Sequence, residues 1–305
     1  MISVCVHIYN YYAYPLVRRL VTQMEQLNGS NDFEIVCIDD CSKGYYLNQN
    51  TGICDLAKYL RLNEHIGKGR TMNLFPKYAN GDWLLFVDAD SKLPDNFLKT
   101  YKKYLGSRAD VVAGGVAYDL RDNDKDHRLR YRYGTKVEHR PVAERRKRPY
   151  TLFSERNFMI RRQVFENVKV PPQLCRYGHL GLLLGYRMQL AKVPLLHIDN
   201  PVTMGYVESN AEYLNKAVEE VADLVKIYDE MWEDQHFCRQ VRLINSYSRL
   251  RRMGLCGIYY RLFRLMKVLL ESQLVGGNII SLKVFKWYKV GVFIQKARYP
   301  QKEAE

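Results

Sequence analysis

Residues 82–90 read Asp-Trp-Leu-Leu-Phe-Val-Asp-Ala-Asp and join a short apolar run to two carboxylates. A run of this length, bounded by turn-forming residues, is typical of a buried β-strand. The strand would deliver Asp88 and Asp90 to one loop at the edge of a sheet, where paired carboxylates suit a hard divalent cation. The same residues also suit a plain strand end and turn, because aspartate is common in turns. This stretch therefore predicts a sheet edge that holds either a cation site or a turn.

Short apolar runs recur through the first part of the chain and alternate with helical patterns. Leu16, Leu20, Met24 and Leu27 recur at helical spacing, and a second helix is predicted over 95–105, directly after Pro94. Alternating strands and helices at this spacing predict an α/β fold with a mostly parallel sheet covered by helices. The predicted strands cover residues 2–8, 33–38, 59–62, 83–87 and 111–116.

Polar residues follow the predicted strands, and parallel strands present their carboxyl ends at one edge of the sheet. They offer an aromatic face for a base, a carboxylate for its N–H group, a cation for phosphate and a carboxylate pair for a metal. Taken singly, each also reads as a packing, capping or loop residue. Their convergence predicts a nucleotide-diphosphate site. The residues are His7, Tyr9 and Asn10, then Asp39, Asp40 and Ser42, then Lys68 and Arg70, and finally Asp88 and Asp90.

Positive charge is concentrated near the end of the chain. Of a net charge of +14 over 305 residues, +12 falls between residues 239 and 298, which hold 13 Lys and Arg against the single acid Glu271. The pattern from 238 to 294 is helical and interleaves these cations with apolar and aromatic residues, which predicts amphipathic helices that bind an anionic membrane surface. The alternative is that they pack on the preceding domain and expose a solvated basic face. We therefore predict two domains, 1–230 and a basic helical tail, 231–305.

The composition excludes several classes of protein. A hydrophobic content of 47% excludes disorder of the whole chain. No helix-turn-helix, zinc-finger or RNA-binding motif accompanies the basic tail, so nucleic acid is not a predicted partner. Seven cysteines without a Cys-x-x-Cys pair predict free thiols in a reducing cytoplasm. The chain begins at once with a strand and has no apolar run of about 20 residues, so neither a signal peptide nor a spanning helix is predicted.

The motifs together resemble those of the family-2 glycosyltransferases, nucleotide-sugar-dependent enzymes with the GT-A fold. The resemblance covers about the first 230 residues, and the later motifs are similar to those of bacterial members that build surface polysaccharides. The motifs that carry it are Val-Cys-Val-His-Ile-Tyr-Asn at 4–10, Asp-Asp-Cys-Ser at 39–42, Asn63, the stretches 67–73 and 81–90, and then 157–162, 177–179 and 195–201.

The resemblance implies a role for several residues. Tyr9 would stack on the nucleobase, Asp40 would accept its N–H, and Asp88 would help to hold the nucleotide. Asp90, with Asp88 beside it, would ligate a manganese or magnesium ion that bridges the diphosphate of the sugar donor. His7 stands where the family often has a small polar residue and is a further donor-binding candidate.

Three departures from the family pattern bear on activity. The family's arginine before Asn73 is here Met72, so Arg70 is the substitute candidate for the donor phosphate. Relatives follow the Gly-His motif with Glu-Asp, whose second carboxylate is the general base; this chain has Leu180 and Gly181. Relatives also place a metal-binding histidine where this chain has Met204, whose thioether suits a hard cation poorly.

Two hypotheses follow from these departures. In the first, the chain is an inverting transferase of cell-surface polysaccharide synthesis that acts on a saccharide or lipid-linked acceptor at the inner face of the cell membrane. His179, and after it Glu208, are then the candidates for the base. In the second, the chain is a degenerate transferase that binds nucleotide sugar or a partner without efficient turnover. The loss of a general base costs on the order of 10² to 10⁴ in rate, which separates the two.

Overall fold

The computed structural model describes residues 1–27, 32–119, 123–175, 178–277 and 280–298. Strands and helices largely alternate up to residue 118, and the described residues from 210 to 298 are helical apart from short connections. The strands are β1 Ile2–Ile8, β2 Phe33–Asp39, β3 Lys58–Arg61, β4 Trp83–Asp88, β5 Ser91–Lys92, β6 Val111–Ala113, β7 Val116–Ala117, β8 Asn157–Arg161, β9 Leu195–His197 and β10 Val202–Met204.

The helices cover both long and short segments. A 3₁₀ turn at Thr51–Asp55 and a π turn at Gly134–Glu138 supplement them. They are α1 Tyr14–Gln26, α2 Gly44–Gln49, α3 Lys68–Tyr78, α4 Phe97–Lys102, α5 Arg128–Tyr133, α6 Val142–Lys147, α7 Arg162–Val168, α8 Pro172–Cys175, α9 Leu180–Leu190, α10 Asn210–Met231, α11 Gln235–Gln240, α12 Arg242–Arg252, α13 Cys256–Gly276 and α14 Leu282–Arg298.

Within the described residues, seven strands form one sheet in the order β3-β2-β1-β4-β8-β6-β9. β1 lies between β2 and β4 and is parallel to both, whereas β8 is antiparallel to β4 and to β6. A smaller sheet has the order β5-β10-β7. The predicted α/β fold with a mostly parallel, helix-flanked sheet is confirmed.

The predicted strand over 111–116 is interrupted in the structure and becomes β6 and β7. Gly115 has a φ of +89°, which glycine adopts without steric cost. A Cβ atom at Gly114 would overlap the carbonyl oxygen of Asn200 and the side-chain amide of Asn157. The two glycines therefore turn the chain where one strand was predicted.

From the sequence, the four consecutive basic residues at 145–148 and the polar residues around them predict a mobile loop over the active site. This prediction is wrong. Residues 142–147 form α6, and Arg145 is buried. Its guanidinium donates to the carbonyl oxygens of Ala113, Gly114 and Ile198 at 3.1, 3.2 and 2.9 Å. Ala113 is the last residue of β6, while Gly114 and Ile198 directly follow β6 and β9, so the arginine links the ends of these two neighbouring strands.

Aromatic rings fill the core around β4. The ring of Phe86 lies 5.7 Å from that of Phe75, 5.0 Å from Phe158 and 5.1 Å from Phe165. Full burial of one such side chain contributes about 1.5–3 kcal/mol. This packing fixes β4, and with it the position of the two aspartates that end it.

The chain folds into two compact units. The first contains the described parts of 1–118, 138–176 and 180–206, and the second those of 119–137, 177–179 and 207–305. The helical pattern predicted over 238–294 is present as α11 to α14, which belong to the second unit together with α10. The domain boundary predicted at residue 230 stays a prediction.

Two sequence-based expectations concern membranes and thiols. Among the helices of the described chain, none combines the length and apolarity needed to cross a bilayer. All seven cysteines are free thiols, and four of them are buried.

Candidate active site at the edge of the sheet

The carboxyl ends of β1, β2 and β4 meet at one edge of the main sheet. Ile8 faces Asp39 across the β1–β2 pair, and His7 faces Asp88 across the β1–β4 pair. Beyond β1, Asn10 adopts a φ of +47°, which asparagine tolerates better than most residues. The predicted donor-binding residues of strands one, two and four are therefore brought together.

Asp40 is fully buried and anchors the loop that precedes α3. Its carboxylate accepts hydrogen bonds from the backbone N–H groups of Ile66 and Gly67, both at 2.8 Å. The rings of His65 and His7 lie 3.0 and 3.4 Å from it. Burial raises the pKa of Asp40, but these hydrogen bonds and nearby charges outweigh burial and hold the pKa below its usual value. A nucleobase N–H would have to share or displace one of these partners.

Tyr9 presents a half-exposed ring at the same edge. One of its faces stacks on His65, with 3.9 Å between the ring centroids and 19° between the planes. The stack leaves the other face of Tyr9 for a base, or requires His65 to move. His65 was missed in the sequence because only the fold brings it to Tyr9 and Asp40.

Two cations flank Asp88. Lys68 Nζ lies 2.5 Å from one carboxylate oxygen, and Arg156 Nε lies 4.0 Å from the other. Burial lowers the pKa of Arg156, but the negative charges of Glu138 and Asp88 outweigh it and raise the pKa above its ordinary value. Arg70 is exposed on α3, and its Nε lies 3.5 Å from the carbonyl oxygen of Pro172. Lys68 thus occupies the position beside Asp88, while the role of Arg70 in donor binding stays a prediction.

Asp90 is electrostatically different from Asp88. In the described chain its carboxylate forms no ion pair, and burial together with the negative charge of Asp88 raises its pKa. Its backbone oxygen accepts the N–H of Gly205 at 2.7 Å, which ties the loop to the end of β10. At the end of β10, the sulfur of Met204 lies 3.2 Å from Arg156 Nη1.

These two carboxylates fit a divalent cation. A cation would relieve the repulsion that raises the pKa of Asp90, and magnesium sites commonly use one or two carboxylates together with substrate phosphates. No cluster of three or more His, Cys, Asp or Glu suited to a metal occurs in the residues that the structure describes. The remaining ligands would therefore be phosphate and water oxygens.

The two predicted candidates for the base have other partners in the second unit. His179 Nε2 donates to the carbonyl oxygen of Glu220 at 2.7 Å, which leaves Nδ1 as the only proton acceptor of a neutral ring. Glu208 pairs with Arg130 at 3.0 Å and with Lys216 at 2.6 Å. Burial raises the pKa of Glu208, but these two cations outweigh it and lower the pKa to about 2. Such a carboxylate is a weak base near neutral pH.

Comparisons with known proteins agree with this fold. The family model described as Glycosyl transferase family 2 matches residues 3–169. A mannosyltransferase, PcManGT from Pyrobaculum calidifontis, solved with GDP-Man and Mn²⁺, is 14% identical, with a TM-score of 0.55 over 99% of this chain and 88% of that chain. TarS 1-349 from S. aureus is 16% identical, with a TM-score of 0.47 over 99% of this chain and 92% of that chain. A search of the curated proteins finds no match.

Proposed function

This chain belongs to glycosyl transferase family 2, and from that premise we propose that it transfers a sugar, with inversion, from a nucleotide diphosphate sugar to an acceptor hydroxyl. It is a glycosyltransferase with a GT-A fold. Inversion is proposed from the family resemblance alone. The structural observation that best supports the donor class is the grouping of Asp88, Asp90, Lys68 and Arg156 beside the exposed ring of Tyr9.

The charges at this edge suit a diphosphate. Lys68 and Arg156 are held by Asp88 and lie where they can bind phosphate oxygens and stabilise the charge that develops on the departing nucleoside diphosphate. Asp90 and Asp88 would hold Mn²⁺ or Mg²⁺, which as a Lewis acid would stabilise the same charge. Tyr9 would pack against the nucleobase, and His7 and Asp40 would hold the adjoining loop. Arg70 remains a candidate phosphate contact.

We place the acceptor, a saccharide or a lipid-linked saccharide, on the part of the first unit that follows Gly114. We further propose a role in cell-surface polysaccharide synthesis, in the cytoplasm and at the inner face of the cell membrane. The support is helix α13, which exposes Leu265, Val268 and Leu269 by 80%, 75% and 68%. Exposed leucine and valine beside Arg261 and Arg264 suit an anionic lipid surface.

A second candidate function is binding of nucleotide sugar without efficient turnover. The observation that favours it is that Met204, whose sulfur contacts Arg156, offers a soft thioether and no oxygen or nitrogen donor from its side chain at that position. A metal held by only two carboxylates would be bound more weakly than one with a third protein ligand. Both candidate functions include donor binding, and they differ in whether the protein turns the donor over efficiently.

The experiment is calorimetric titration with a panel of nucleotide diphosphate sugars, with and without Mn²⁺, followed by measurement of nucleoside diphosphate release. We expect Mn²⁺ to tighten binding of the preferred donor, and Asp90→Ala to remove that gain because Asp88 alone would hold the ion. Asp82→Ala is the matched control, since Asp82 lies at the opposite end of β4 and is exposed. Equal donor affinity with and without Mn²⁺ in the wild-type protein would contradict the metal assignment.

A further inference from the structure

Glu155 precedes β8 and lies at the same edge of the sheet as the two aspartates. The N–H of Asp88 donates to the carbonyl oxygen of Arg156 at 3.2 Å, and Val87 faces Asn157 in the β4–β8 register. Because β4 and β8 are antiparallel, the residues that precede β8 lie at the carboxyl end of β4. Glu155 therefore belongs to the edge where Asp88 and Asp90 lie.

The carboxylate of Glu155 lies against Gly181, in the first turn of α9. A Cβ atom at position 181 would overlap Glu155 Oε2 and would lie 3.3 Å from its Cδ. Gly181 is not in the left-handed region, so its backbone does not require glycine. Glycine is unfavourable in helices. Glycine is required at position 181 because the Glu155 carboxylate occupies the space that a Cβ atom would take.

Glu155 keeps a carboxylate that other side chains do not bind directly. Among the described residues its oxygens form no hydrogen bond and no ion pair, although its charge helps to raise the pKa of the adjacent Arg156, and the side chain is only partly buried. Its neighbours differ, since Asp88 is paired with Lys68 and Glu138 accepts the hydroxyl of Tyr118. Asp90 is the residue that fits a cation. Of the acids at this edge, Glu155 is the one left to accept a proton.

We propose that Glu155 is the general base of the transfer reaction, an inference that rests on the proposed function. Its carboxylate takes the proton of the acceptor hydroxyl as that oxygen bonds to the anomeric carbon. The bond between the anomeric carbon and the phosphate oxygen breaks, and its electron pair leaves with the nucleoside diphosphate. The proton then passes from Glu155 to water. Glu155 thereby reaches the space beside Gly181, the position at which the family resemblance implies the base.

A purely structural role makes a different prediction. A carboxylate beside the first turn of a helix also stabilises the helix N-terminus through the helix dipole. In that case, loss of the carboxylate lowers the melting temperature, and turnover at a permissive temperature changes little. The test must therefore separate turnover from stability.

The test compares Glu155→Gln, Glu155→Ala and the double variant Glu155→Ala/Gly181→Asp, with Glu166→Ala, an exposed residue of α7, as control. Nucleoside diphosphate release is measured from the donor that binds in calorimetry, with water and methyl glycosides as acceptors. Both single variants at Glu155 should lose about 10²- to 10⁴-fold in kcat with unchanged donor Kd. Gly181→Asp in the Glu155→Ala background should restore turnover, because its carboxylate enters the vacated space. Sodium formate should partly restore Glu155→Ala.

Two results would overturn the inference while leaving the proposed function in place. One is wild-type turnover in Glu155→Ala. The other is a loss that follows the melting temperature and that neither Gly181→Asp nor formate restores. Wild-type protein that binds donor but releases no nucleoside diphosphate with any of these acceptors would overturn both the inference and the proposed transfer, and would favour the second candidate function. Wild-type protein that binds no nucleotide sugar would instead overturn the proposed function.

Discussion

Asp88 and Asp90 are one residue apart and yet have opposite electrostatic surroundings. Asp88 is paired with Lys68 and lies near Arg156, whereas Asp90 is partly buried, has a raised pKa and forms no ion pair with any residue that the structure describes. A cation that binds here gains most from Asp90. The lysine is then available to a second anion, such as a phosphate group of the proposed donor.

We therefore expect Lys68→Met to weaken nucleoside diphosphate binding in the absence of metal. The variant removes one charge-assisted contact, worth about 1.5–3 kcal/mol, and leaves Asp88 to repel the ligand. The expected loss of affinity for GDP or UDP in EDTA is at least about tenfold, which corresponds to ~1.4 kcal/mol. Calorimetry measures it, and Lys99→Met, an exposed lysine of α4, is the control. Equal affinities would mean that Lys68 serves only Asp88.

Whether a site residue could be predicted depended on how far along the chain its partners lie. Tyr9 and Asp88 follow apolar strands directly, so the strand pattern alone brought them to one edge. The stack of His65 on Tyr9 depends on a loop held by Asp40, and the contact of Glu155 with Gly181 joins a strand entry to a helix start. Such contacts leave no periodic signal in the sequence.

Among the helices and strands, contacts between residues distant in sequence also explain why a loop was predicted where α6 forms. Four consecutive basic residues at 145–148 suggested a solvated loop, but Arg145 donates to the carbonyl groups of Ala113 and Gly114 at the end of β6. It also donates to His197 Nδ1 at 3.0 Å, while His197 Nε2 donates to the carbonyl oxygen of Pro149 at 2.9 Å. Both ring nitrogens of the neutral histidine are therefore in use where α6 meets β9.

This contact predicts a loss of stability in mild acid. Burial, with the charges of Arg145 and Arg146 added to it, lowers the pKa of His197 from 6.5 to about 4. Between about pH 6.5 and 4, His197 binds a proton in the unfolded chain but not in the folded chain. The free energy of unfolding therefore falls as the pH drops towards 4. From pH 7 to 4.5 the contribution of this group falls by about 2 kcal/mol.

Urea unfolding at pH 7 and 4.5 measures this change. His197→Gln should lose most of the difference between the two pH values, although it is less stable at both because Arg145 loses an acceptor. His236→Gln, at an exposed histidine of α11, should keep the difference seen in the wild-type protein. An unchanged difference in His197→Gln would show that other groups titrate over this range.

On the scale of the whole molecule, the main feature is the separation of charge along the sequence. Residues 239–298 carry +12 of the net +14. Within this segment α13 buries Phe263, Leu270 and Leu274 on one side. On another it exposes Ile258, Leu262, Leu265 and Leu269, which recur at the spacing of a single helix face. Water does not stabilise such a face, whereas an anionic lipid surface would bury its leucines and attract its arginines.

The last prediction is that Leu265→Glu/Leu269→Glu releases the protein from anionic vesicles. Burial of a leucine contributes about 1.5–3 kcal/mol, and each glutamate adds repulsion from the lipid headgroups. Co-sedimentation with phosphatidylglycerol vesicles should therefore show a loss of binding of at least about tenfold, with donor affinity unchanged. Leu190→Glu, at an exposed leucine of α9, is the control and should bind like wild type. If the double variant still binds, the face of α13 is not the membrane contact, and another surface of the protein holds it to the vesicles.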